Sequence, residues 1–223
     1  MSNHLCKGNL GDFITPAKAP FLKLRLKNFC LRGREKNLIM ITGKTGSGKS
    51  LLAACLEGEM KQNGKRAITI TCETLTDRIV YSIRNKHEKD WFANELARYD
   101  LVMFDEMEEL RGRNSTQLEV TFLIEKLLRR GTKVVLFGSE DRTAYEDLLN
   151  ILKKIRTPVK VFSLPCLGIH QRCWYAAKMA KKYNLNVSSK EIRKIAGISD
   201  NMRDVAGMVH TVAALSGGKK VQE

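Results

Sequence analysis

Proline is scarce in this sequence, with 4 residues among 223, while hydrophobic residues make up 43% and charged residues 28%. This composition is typical of a globular chain that is long enough to bury a full core. No apolar run approaches the roughly 20 residues that cross a bilayer. Residues 1–8 contain no apolar segment of the kind found in secretory signals. These absences predict a soluble, cytoplasmic protein without a membrane partner.

No Cys-x-x-Cys pair occurs among the six cysteines, which are scattered over positions 6, 30, 55, 72, 166 and 173. Several of them lie in apolar runs, where a free cysteine behaves as a small hydrophobic residue. We therefore expect reduced, buried thiols. Cys166, His170 and Cys173 are close in sequence, but zinc sites usually show tighter paired spacing and a fourth ligand. No metal is expected at these three residues.

Acidic residues are few relative to basic ones: 24 Asp and Glu stand against 39 Lys and Arg, a net charge of +15. The sequence pI is near 9.7. Such an excess favours a polyanionic partner, and nucleic acid is the first candidate. The alternative is a basic surface that is simply solvated.

Five short apolar runs with little polar alternation predict strands that are covered on both faces. They are Leu38–Thr42, Ala67–Thr71, Leu101–Asp105, Val134–Phe137 and Val159–Phe162. Helical patterns lie between them, and the clearest begins with a capping box at Asn114-Ser-Thr-Gln117 and ends at Gly131. Strands that alternate with helices indicate an α/β fold with a five-stranded parallel sheet.

Beyond Pro165 the sequence predicts helices only, at Gln171–Tyr183, Ser189–Ala196 and Asp200–Leu215. The second of these opens with another capping-box pattern, Ser188-Ser-Lys-Glu191. We therefore expect four regions: a basic N-terminal segment (1–36), an α/β domain (37–165), a small helical domain (166–216) and a frayed tail (217–223). The elements of the first region are not predicted.

Residues Gly43-Lys-Thr-Gly-Ser-Gly-Lys-Ser50 match the phosphate-binding template G-x-x-x-x-G-K-[ST], between a predicted strand and a predicted helix. The glycines let backbone N–H groups turn around a phosphate, and the helix N-terminus adds partial positive charge. In such loops Lys49 would reach the β- and γ-phosphates and the Ser50 hydroxyl would ligate Mg²⁺. The motif predicts a P-loop protein that binds a nucleoside triphosphate.

Two carboxylates, Asp105 and Glu106, end the third predicted strand. In P-loop proteins an aspartate in this place supports the Mg²⁺, and the next glutamate can orient or deprotonate an attacking water. The fourth strand is followed by Ser139 and Glu140. Either residue could lie between water and the γ-phosphate, or both could simply form the cap and loop before the helix near Thr143.

With these features the chain resembles the AAA+ ATPase domain of the DnaA-type bacterial replication initiators, over roughly residues 13–215. Four stretches carry the resemblance: the Walker A loop Gly43–Ser50, the paired helices at Thr71–Arg84 and Trp91–Asp100, Leu101–Glu119 with the Walker B acids, and the sensor-2-like Asn201–Gly207. The resemblance implies that the helical region is a lid and that the nucleotide is ATP with Mg²⁺. Its nucleotide contacts would come from Gly43, Lys44, Thr45, Gly46, Ser47, Gly48, Lys49, Ser50, Leu51, Asp105 and Arg203, with Ser50 and Asp105 at the metal.

The resemblance also implies a set of catalytic residues. They are Lys49, Glu106, Arg203 as the sensor-2 arginine, and an arginine finger acting on a neighbouring subunit. Arg156 is the best candidate for the finger and Lys154 the second, although either can be a surface cation. An arginine that reaches from the lid to the γ-phosphate would make the lid angle depend on ATP versus ADP.

The helices inserted after the second strand, and the loop after Walker B, are implied to contact single-stranded DNA rather than a specific duplex sequence. The cations there are Arg78, Arg84, Lys86, Arg111 and Arg113, and Val80 is an apolar contact. Cations along a groove track phosphates without reading sequence. A solvated helix face is the alternative for each of these residues.

The function expected from this resemblance is that of an ATP-dependent switch on DNA in replication initiation, with slow hydrolysis that depends on assembly. It would assemble with itself or with another AAA+ protein. The sequence contains no helix-turn-helix after the lid, which suggests a stand-alone relative or an excised core. The alternatives are a DnaC-type loader bound to the replicative helicase, an Hda-like regulator of an initiator, and a small P-loop kinase. The sensor-2-like Arg203 speaks against the loader, and the helices after the sheet speak against the kinase.

Overall fold

Five parallel strands form one sheet in the order β2-β3-β4-β1-β5. The computed structural model of this chain describes residues 10–32, 38–84, 91–154, 157, 159–198 and 200–215. The strands are β1 (Leu38–Thr42), β2 (Ala67–Thr71), β3 (Leu101–Asp105), β4 (Lys133–Gly138) and β5 (Lys160–Ser163). The predicted α/β class and the five-stranded parallel sheet are confirmed.

Strand β1 lies inside the sheet, between β4 and β5. Its last residue, Thr42, is level with Gly138 of β4 and with Ser163 of β5. Every residue of β1 and β3 is buried, which explains why their sequences lack polar alternation. The carboxyl ends of parallel strands share one edge of the sheet, so the residues that follow β1, β3 and β4 leave the core at that edge.

The helices that accompany the sheet are α1 (Leu22–Leu31), α2 (Lys49–Gln62), α3 (Cys72–Arg84), α4 (Trp91–Leu96), α5 (Asn114–Arg129) and α6 (Glu146–Lys154). Short 3-10 helices occur at Leu10–Asp12, Met107–Leu110 and Arg142–Tyr145. The C-terminal helices are α7 (Ile169–Lys182), α8 (Ser189–Ile198) and α9 (Met202–Leu215). The three C-terminal helices predicted from the sequence are therefore present, with ends that differ by a few residues.

Helix α1 lies in the basic N-terminal segment, for which no elements were predicted. It buries Leu22, Leu26 and Cys30, which recur every four residues along one face. Burial raises the pKa of the Cys30 thiol to about 12. Lys27 on the same helix forms an ion pair with the buried Glu59 of α2, with 2.8 Å between Nζ and Oε1. The surrounding basic residues hid this apolar spacing in the sequence.

The capping box predicted at Asn114–Gln117 is wrong. The residue before α5 is Arg113, and no side chain caps this helix end. Gln117 is instead buried, and its Nε2 donates to the carbonyl oxygen of Leu110 at 3.0 Å. Its Oε1 accepts from the N–H of Leu148 in α6 at 2.9 Å. The glutamine is used for tertiary contacts, which outcompete the local cap.

The second predicted capping box is confirmed at the start of α8. The Glu191 carboxylate accepts from the N–H of Ser188 at 2.8 Å and from its hydroxyl at 2.6 Å. The N–H of Glu191 in turn donates to the Ser188 hydroxyl at 3.3 Å. These bonds lower the pKa of the Glu191 carboxyl, the side-chain bond from Ser188 contributing most. Both partners are exposed, so no tertiary contact competes for them.

The chain divides into two compact units. The first takes the described residues of Met1–Phe13, Phe21–Gly43 and Lys49–Ser163, and thus holds the sheet and helices α1 to α6. The second takes Ile14–Pro20, Lys44–Gly48 and the described residues from Leu164 onward. The middle of the Walker A loop therefore groups with the C-terminal helices.

No cysteine in the described ranges forms a disulfide: Cys30, Cys55 and Cys72 are buried, and Cys166 and Cys173 are half-buried. Burial raises the pKa of the Cys72 thiol to about 11. The predicted burial is confirmed for Cys30, Cys55 and Cys72 but not for Cys166 and Cys173, and Cys6 lies outside the described residues. Within those ranges no group of three or more His, Cys, Asp or Glu side chains is arranged to hold a metal ion. No described helix combines the length and the apolar character needed to cross a membrane.

Candidate functional site

The Walker A loop leaves the interior of the sheet and leads into the first turn of α2. The N–H of Gly43 donates to the carbonyl oxygen of Gly138 at 3.1 Å, which keeps the first loop residue attached to β4. Helix α2 begins at Lys49, so Lys49 and Ser50 occupy its first turn. First-turn N–H groups have no intrahelical acceptor and face outward along the helix axis. This is the arrangement that suits a bound anion.

Glycine is required inside the loop because two of its residues adopt positive φ. Gly46 has φ +74° and Gly48 has φ +98°, values that residues with a Cβ rarely adopt. Between them, the N–H of Ser47 donates to the carbonyl oxygen of Lys44 at 3.1 Å. The Ser47 hydroxyl is buried and has no hydrogen-bond partner among the described residues. A tightly turned loop with an unsatisfied buried hydroxyl fits a phosphate ligand.

Lys49 points back toward the start of its own loop. Its side chain is buried, and its Nζ donates to the carbonyl oxygen of Gly43 at 2.8 Å. A buried ammonium needs polar or anionic neighbours to offset the loss of hydration. Ser50, the predicted metal ligand, is exposed on the first turn of the helix. Both residues thus lie in the first turn of α2, and their contacts with phosphate and Mg²⁺ stay predictions.

The acidic pair lies at the end of β3. Asp105 is buried, and its Oδ1 accepts from the N–H of Glu106 at 2.9 Å. Glu106 is exposed and has φ 63°, in the left-handed region. A non-glycine residue there costs free energy, and such strain is common at functional sites. The turn directs the two carboxyl groups into different surroundings, one buried and one in solvent.

The loop after β4 is fixed by Tyr145. The phenol hydroxyl donates to the carbonyl oxygen of Ser139, and burial raises the pKa of Tyr145 to about 12. A Cβ on Gly138 would come within 2.8 Å of the same ring. The residue that caps the following 3-10 helix is Asp141, which accepts from Thr143. Ser139 is half-buried and Glu140 is exposed, and neither caps the helix.

A sequence profile of the bacterial DnaA ATPase domain matches residues 26–161, which is more than half of the chain. The chain belongs to this family. Membership of an ATPase domain family implies ATP binding and hydrolysis as its general activity. The resemblance drawn from the Walker motifs is thereby confirmed.

Two chromosomal replication initiator proteins are similar to this chain. The chromosomal replication initiator protein DnaA of Aliarcobacter butzleri is 23% identical over 183 residues, covering 82% of this chain and 42% of the relative. That of Protochlamydia amoebophila is 28% identical over 213 residues, covering 91% of this chain and 46% of the relative. The chain therefore spans less than half the length of these two relatives.

Solved structures agree on the fold. Domain III of the Thermotoga maritima DnaA superposes with a TM-score of 0.79 at 18% identity, covering 96% of this chain and 91% of that structure. A replication initiator DnaA bound to AMPPCP and single-stranded DNA gives a TM-score of 0.76 at 18% identity, covering 92% of this chain and 64% of that one. The DnaC helicase loader is less similar, with a TM-score of 0.57 over 70% of this chain. The AAA+ fold expected for a DnaA ATPase domain is confirmed.

In this DnaA-type domain the predicted sensor-2 residue Arg203 lies in the first turn of α9 and is exposed. Its N–H donates to Oδ1 of Asn201 at 2.8 Å. The first choice for the arginine finger, Arg156, lies outside the described residues. The second choice, Lys154, is exposed at the end of α6.

The predicted DNA contacts have different surroundings. Arg78 and Arg84 are exposed on α3, and Arg113 is exposed just before α5. Arg111 is held by the loop after β4: its guanidinium is 2.5 Å from the Asp141 carboxylate and 3.1 Å from the Thr143 hydroxyl. The hydrogen bond from Arg111 contributes most to lowering the pKa of Asp141, to about 2. Lys86 lies outside the described residues.

Exposed aromatic side chains lie beside the cations of α3. The sequence analysis predicted the cations as DNA contacts but not these aromatic residues. Asp77, Arg78, Tyr81 and Trp91 line a recess of about 500 Å³. The Arg78 guanidinium lies 5.2 Å from the centre of the Trp91 ring, and the Tyr81 ring meets that ring edge-on at 6.3 Å. Val80, the predicted apolar contact, is exposed on the same helix but does not line the recess. The signal in the sequence was the pair Tyr81 and Trp91, near the end of α3 and at the start of α4, with the basic residues Arg84 and Lys86 between them.

Proposed function

We propose that this chain binds ATP with Mg²⁺ at Gly43–Ser50 and acts as an ATP-dependent switch on DNA in replication initiation. The observation that carries the proposal is the phosphate loop between the buried strand β1 and helix α2 in a chain of the DnaA ATPase domain family. ATP binding and hydrolysis are the general activity of the family. The switch, its slow hydrolysis and its DNA target are the proposed refinements.

The proposed roles follow from the chemistry of each side chain. Lys49 contacts the β- and γ-phosphates, and Ser50 and Asp105 hold the metal ion. Mg²⁺, when bound, neutralises the negative charge that develops on the phosphate oxygens. Glu106 is exposed, so its carboxylate can accept a proton from an attacking water or orient that water. Arg203 contributes a positive charge at the γ-phosphate and so distinguishes ATP from ADP.

Hydrolysis depends on assembly in this proposal. The arginine that completes the site comes from a second copy of the chain or from another AAA+ protein, with Arg156 as the candidate. A site completed by a neighbour turns over slowly in the isolated chain. Bound ATP then favours the assembled state, and hydrolysis dissolves it.

Single-stranded DNA is the proposed partner of the α3 and α4 surface. Arg78 and Arg84 supply positive charge, and Trp91 and Tyr81 supply exposed ring faces and edges beside it. Cations next to aromatic rings suit a strand whose bases are free to stack. A relative with the same fold is bound to AMPPCP and single-stranded DNA, which supports the same partner here. The net charge of +15 also favours a polyanion.

The first experiment measures ATP binding by the full chain and by its Lys49→Ala variant. We expect micromolar or tighter binding to the parent chain and a loss of at least about a hundredfold in the variant, because a charge-assisted phosphate contact disappears. Lys61→Ala is the matched control, since Lys61 lies on the same helix but is exposed in its last turn. Equal affinity of the two variants for ATP would contradict the assignment of the site.

The second experiment measures binding to single- and double-stranded DNA over a range of salt concentrations, with ATP, with ADP and without nucleotide. We expect single-strand binding to be tightest with ATP, with a log–log salt slope of about −0.7 for each phosphate contacted. Binding that ignores the nucleotide, or no binding at all, would contradict the switch and favour an Hda-like regulator. Stable capture of a replicative helicase in place of DNA would favour the loader.

A further inference from the structure

Asn201, the residue before α9, lies against the middle of the Walker A loop. Its side-chain oxygen would be 1.6 Å, and its Cγ 2.2 Å, from a Cβ built on Gly46. The next residue, Met202, donates its N–H to the carbonyl oxygen of Gly46 at 3.1 Å. All three residues belong to the second compact unit. The loop and the start of α9 are therefore joined by a hydrogen bond and a close side-chain contact at one glycine.

The same Asn201 oxygen also caps α9. It accepts the N–H of Arg203 at 2.8 Å, and asparagine is among the residues that best satisfy the free N–H groups of a first helical turn. The amide thus contacts Gly46 with the group that fixes the backbone of Arg203. A Cβ at Gly46 would have to displace this amide, and with it the cap on which the backbone of Arg203 depends.

We propose that Asn201 is a positioning residue that fits the Walker A loop to α9 and transmits the state of the loop to Arg203. The proposal rests on the proposed function, because it assumes that ATP binds at this loop. It explains why position 46 needs glycine for two independent reasons. One is the φ of +74°, and the other is the space that the Asn201 amide occupies.

Two other glycines with positive φ serve as controls for the backbone strain at position 46. Gly64 and Gly131 have φ +68° and +85°, and a Cβ on either meets nothing within 4 Å among the described residues. An alanine at those positions introduces backbone strain without a clash. An alanine at Gly46 introduces both. The difference between them isolates the contact with Asn201.

The test is a double-mutant cycle of Gly46→Ala and Asn201→Ala in the full chain, read as the affinity for ATP. We expect Gly46→Ala to weaken ATP binding at least about tenfold more when Asn201 is present than in the Asn201→Ala background, where only the backbone strain remains; such a coupling is typical of contacting residues. Gly131→Ala should leave ATP affinity unchanged. Equal effects of Gly46→Ala in the two backgrounds would overturn the proposal.

Thermal unfolding of the nucleotide-free variants keeps this test separate from the proposed function. Gly46→Ala should lower the melting temperature several degrees more than Gly131→Ala does. In the Asn201→Ala background, the two glycine substitutions should lower it by about the same amount. If the parent chain bound no ATP, the proposed function would fail while this cycle still tested the contact. Additive melting shifts would show that the contact is absent in solution and would overturn the proposal.

The variant Asn201→Ser separates positioning from simple capping. Serine caps a helix about as well as asparagine, but its shorter side chain does not extend as far toward Gly46. We expect the melting temperature to stay within about 2 °C of the parent, while ATP affinity falls about threefold to tenfold and the preference for ATP over ADP decreases. Parent-like ATP affinity and nucleotide preference in this variant would overturn the assignment.

Discussion

Replacing Gln117 by leucine should destabilise the α/β unit, although leucine is the more hydrophobic side chain. Gln117 is 2% exposed and joins three elements. Its Nε2 donates to the Leu110 oxygen at 3.0 Å, which ends the 3-10 helix following the Walker B acids, and it is 3.5 Å from the Ala144 oxygen. Its Oε1 accepts the Leu148 N–H at 2.9 Å, in the first turn of α6. Leucine would leave these buried partners without their bonds.

The magnitude follows from the groups left unpaired. A buried donor or acceptor without a partner costs about 1–3 kcal/mol, and two strong contacts are lost at Leu110 and Leu148. The 3.5 Å contact is too long to add much. The additional apolar burial of leucine offsets about 1 kcal/mol of this loss. The expected fall in the free energy of unfolding is therefore about 1–5 kcal/mol.

Urea denaturation of Gln117→Leu and of Thr121→Val measures this difference. Thr121 is one helical turn further along α5 and also buried, and its hydroxyl donates to the carbonyl oxygen of Gln117 at 2.8 Å. That oxygen keeps its helical N–H, so Thr121→Val should cost less than about 1 kcal/mol. Equal losses in the two variants, at unchanged m-values, would refute the reasoning that the three-element bridge stabilises this unit.

Three further predictions concern charge and aromatic contacts. The pKa of Glu59 is lowered first by the hydrogen bond from Lys27, and the N–H of Leu10 adds to it. The stabilisation from the ionised Glu59 carboxylate is therefore present above the unfolded pKa near 4.5 and is lost as the pH falls through the lower folded pKa. Glu59→Gln should cost about 1–2 kcal/mol in urea titrations near pH 7, and this cost should shrink as the pH falls through the folded pKa. Trp91→Ala should weaken single-stranded DNA binding about fivefold to a hundredfold in fluorescence titrations, whereas Trp174→Ala, which removes an exposed ring beside Lys178, should have no effect. If Arg111 contacts a DNA phosphate, Asp141→Asn should tighten DNA binding, because it releases the Arg111 guanidinium from the Asp141 carboxylate. Arg111→Ala should then reduce the log–log salt slope of DNA binding by about 0.7. An unchanged slope would exclude this contact.

The sequence predicted the sheet and the Walker motifs well because both are local patterns. The buried strands β1 and β3 are uniform apolar runs, and their predicted bounds match the structure. The phosphate loop is defined by consecutive residues, so its template needs no knowledge of the rest of the chain. Helix α1 was missed because its three buried residues stand among basic ones. Its apolar face is only one residue wide per turn, which is too narrow to be recognised in a segment rich in Lys and Arg.

The errors and omissions concern side chains whose partners lie far along the chain. The pattern at Asn114–Gln117 fits a capping box as well as the pattern at Ser188–Glu191 does, yet only the second forms. Gln117 is buried and faces Leu148, 31 positions away. Glu191 is exposed and meets only its own helix end. The same local signal therefore has different outcomes according to the tertiary packing around it.

The sequence by itself determined the class of fold, the phosphate loop, the acidic pair and the family. Each depends on the order and spacing of neighbouring residues, which covalent geometry converts directly into local structure. The tertiary structure alone decided that Asn201 lies against Gly46, that Arg111 pairs with Asp141, and that Trp91 forms a recess with Arg78. These contacts join segments whose distance in space is set by the packing of the whole chain, and no local pattern specifies that distance.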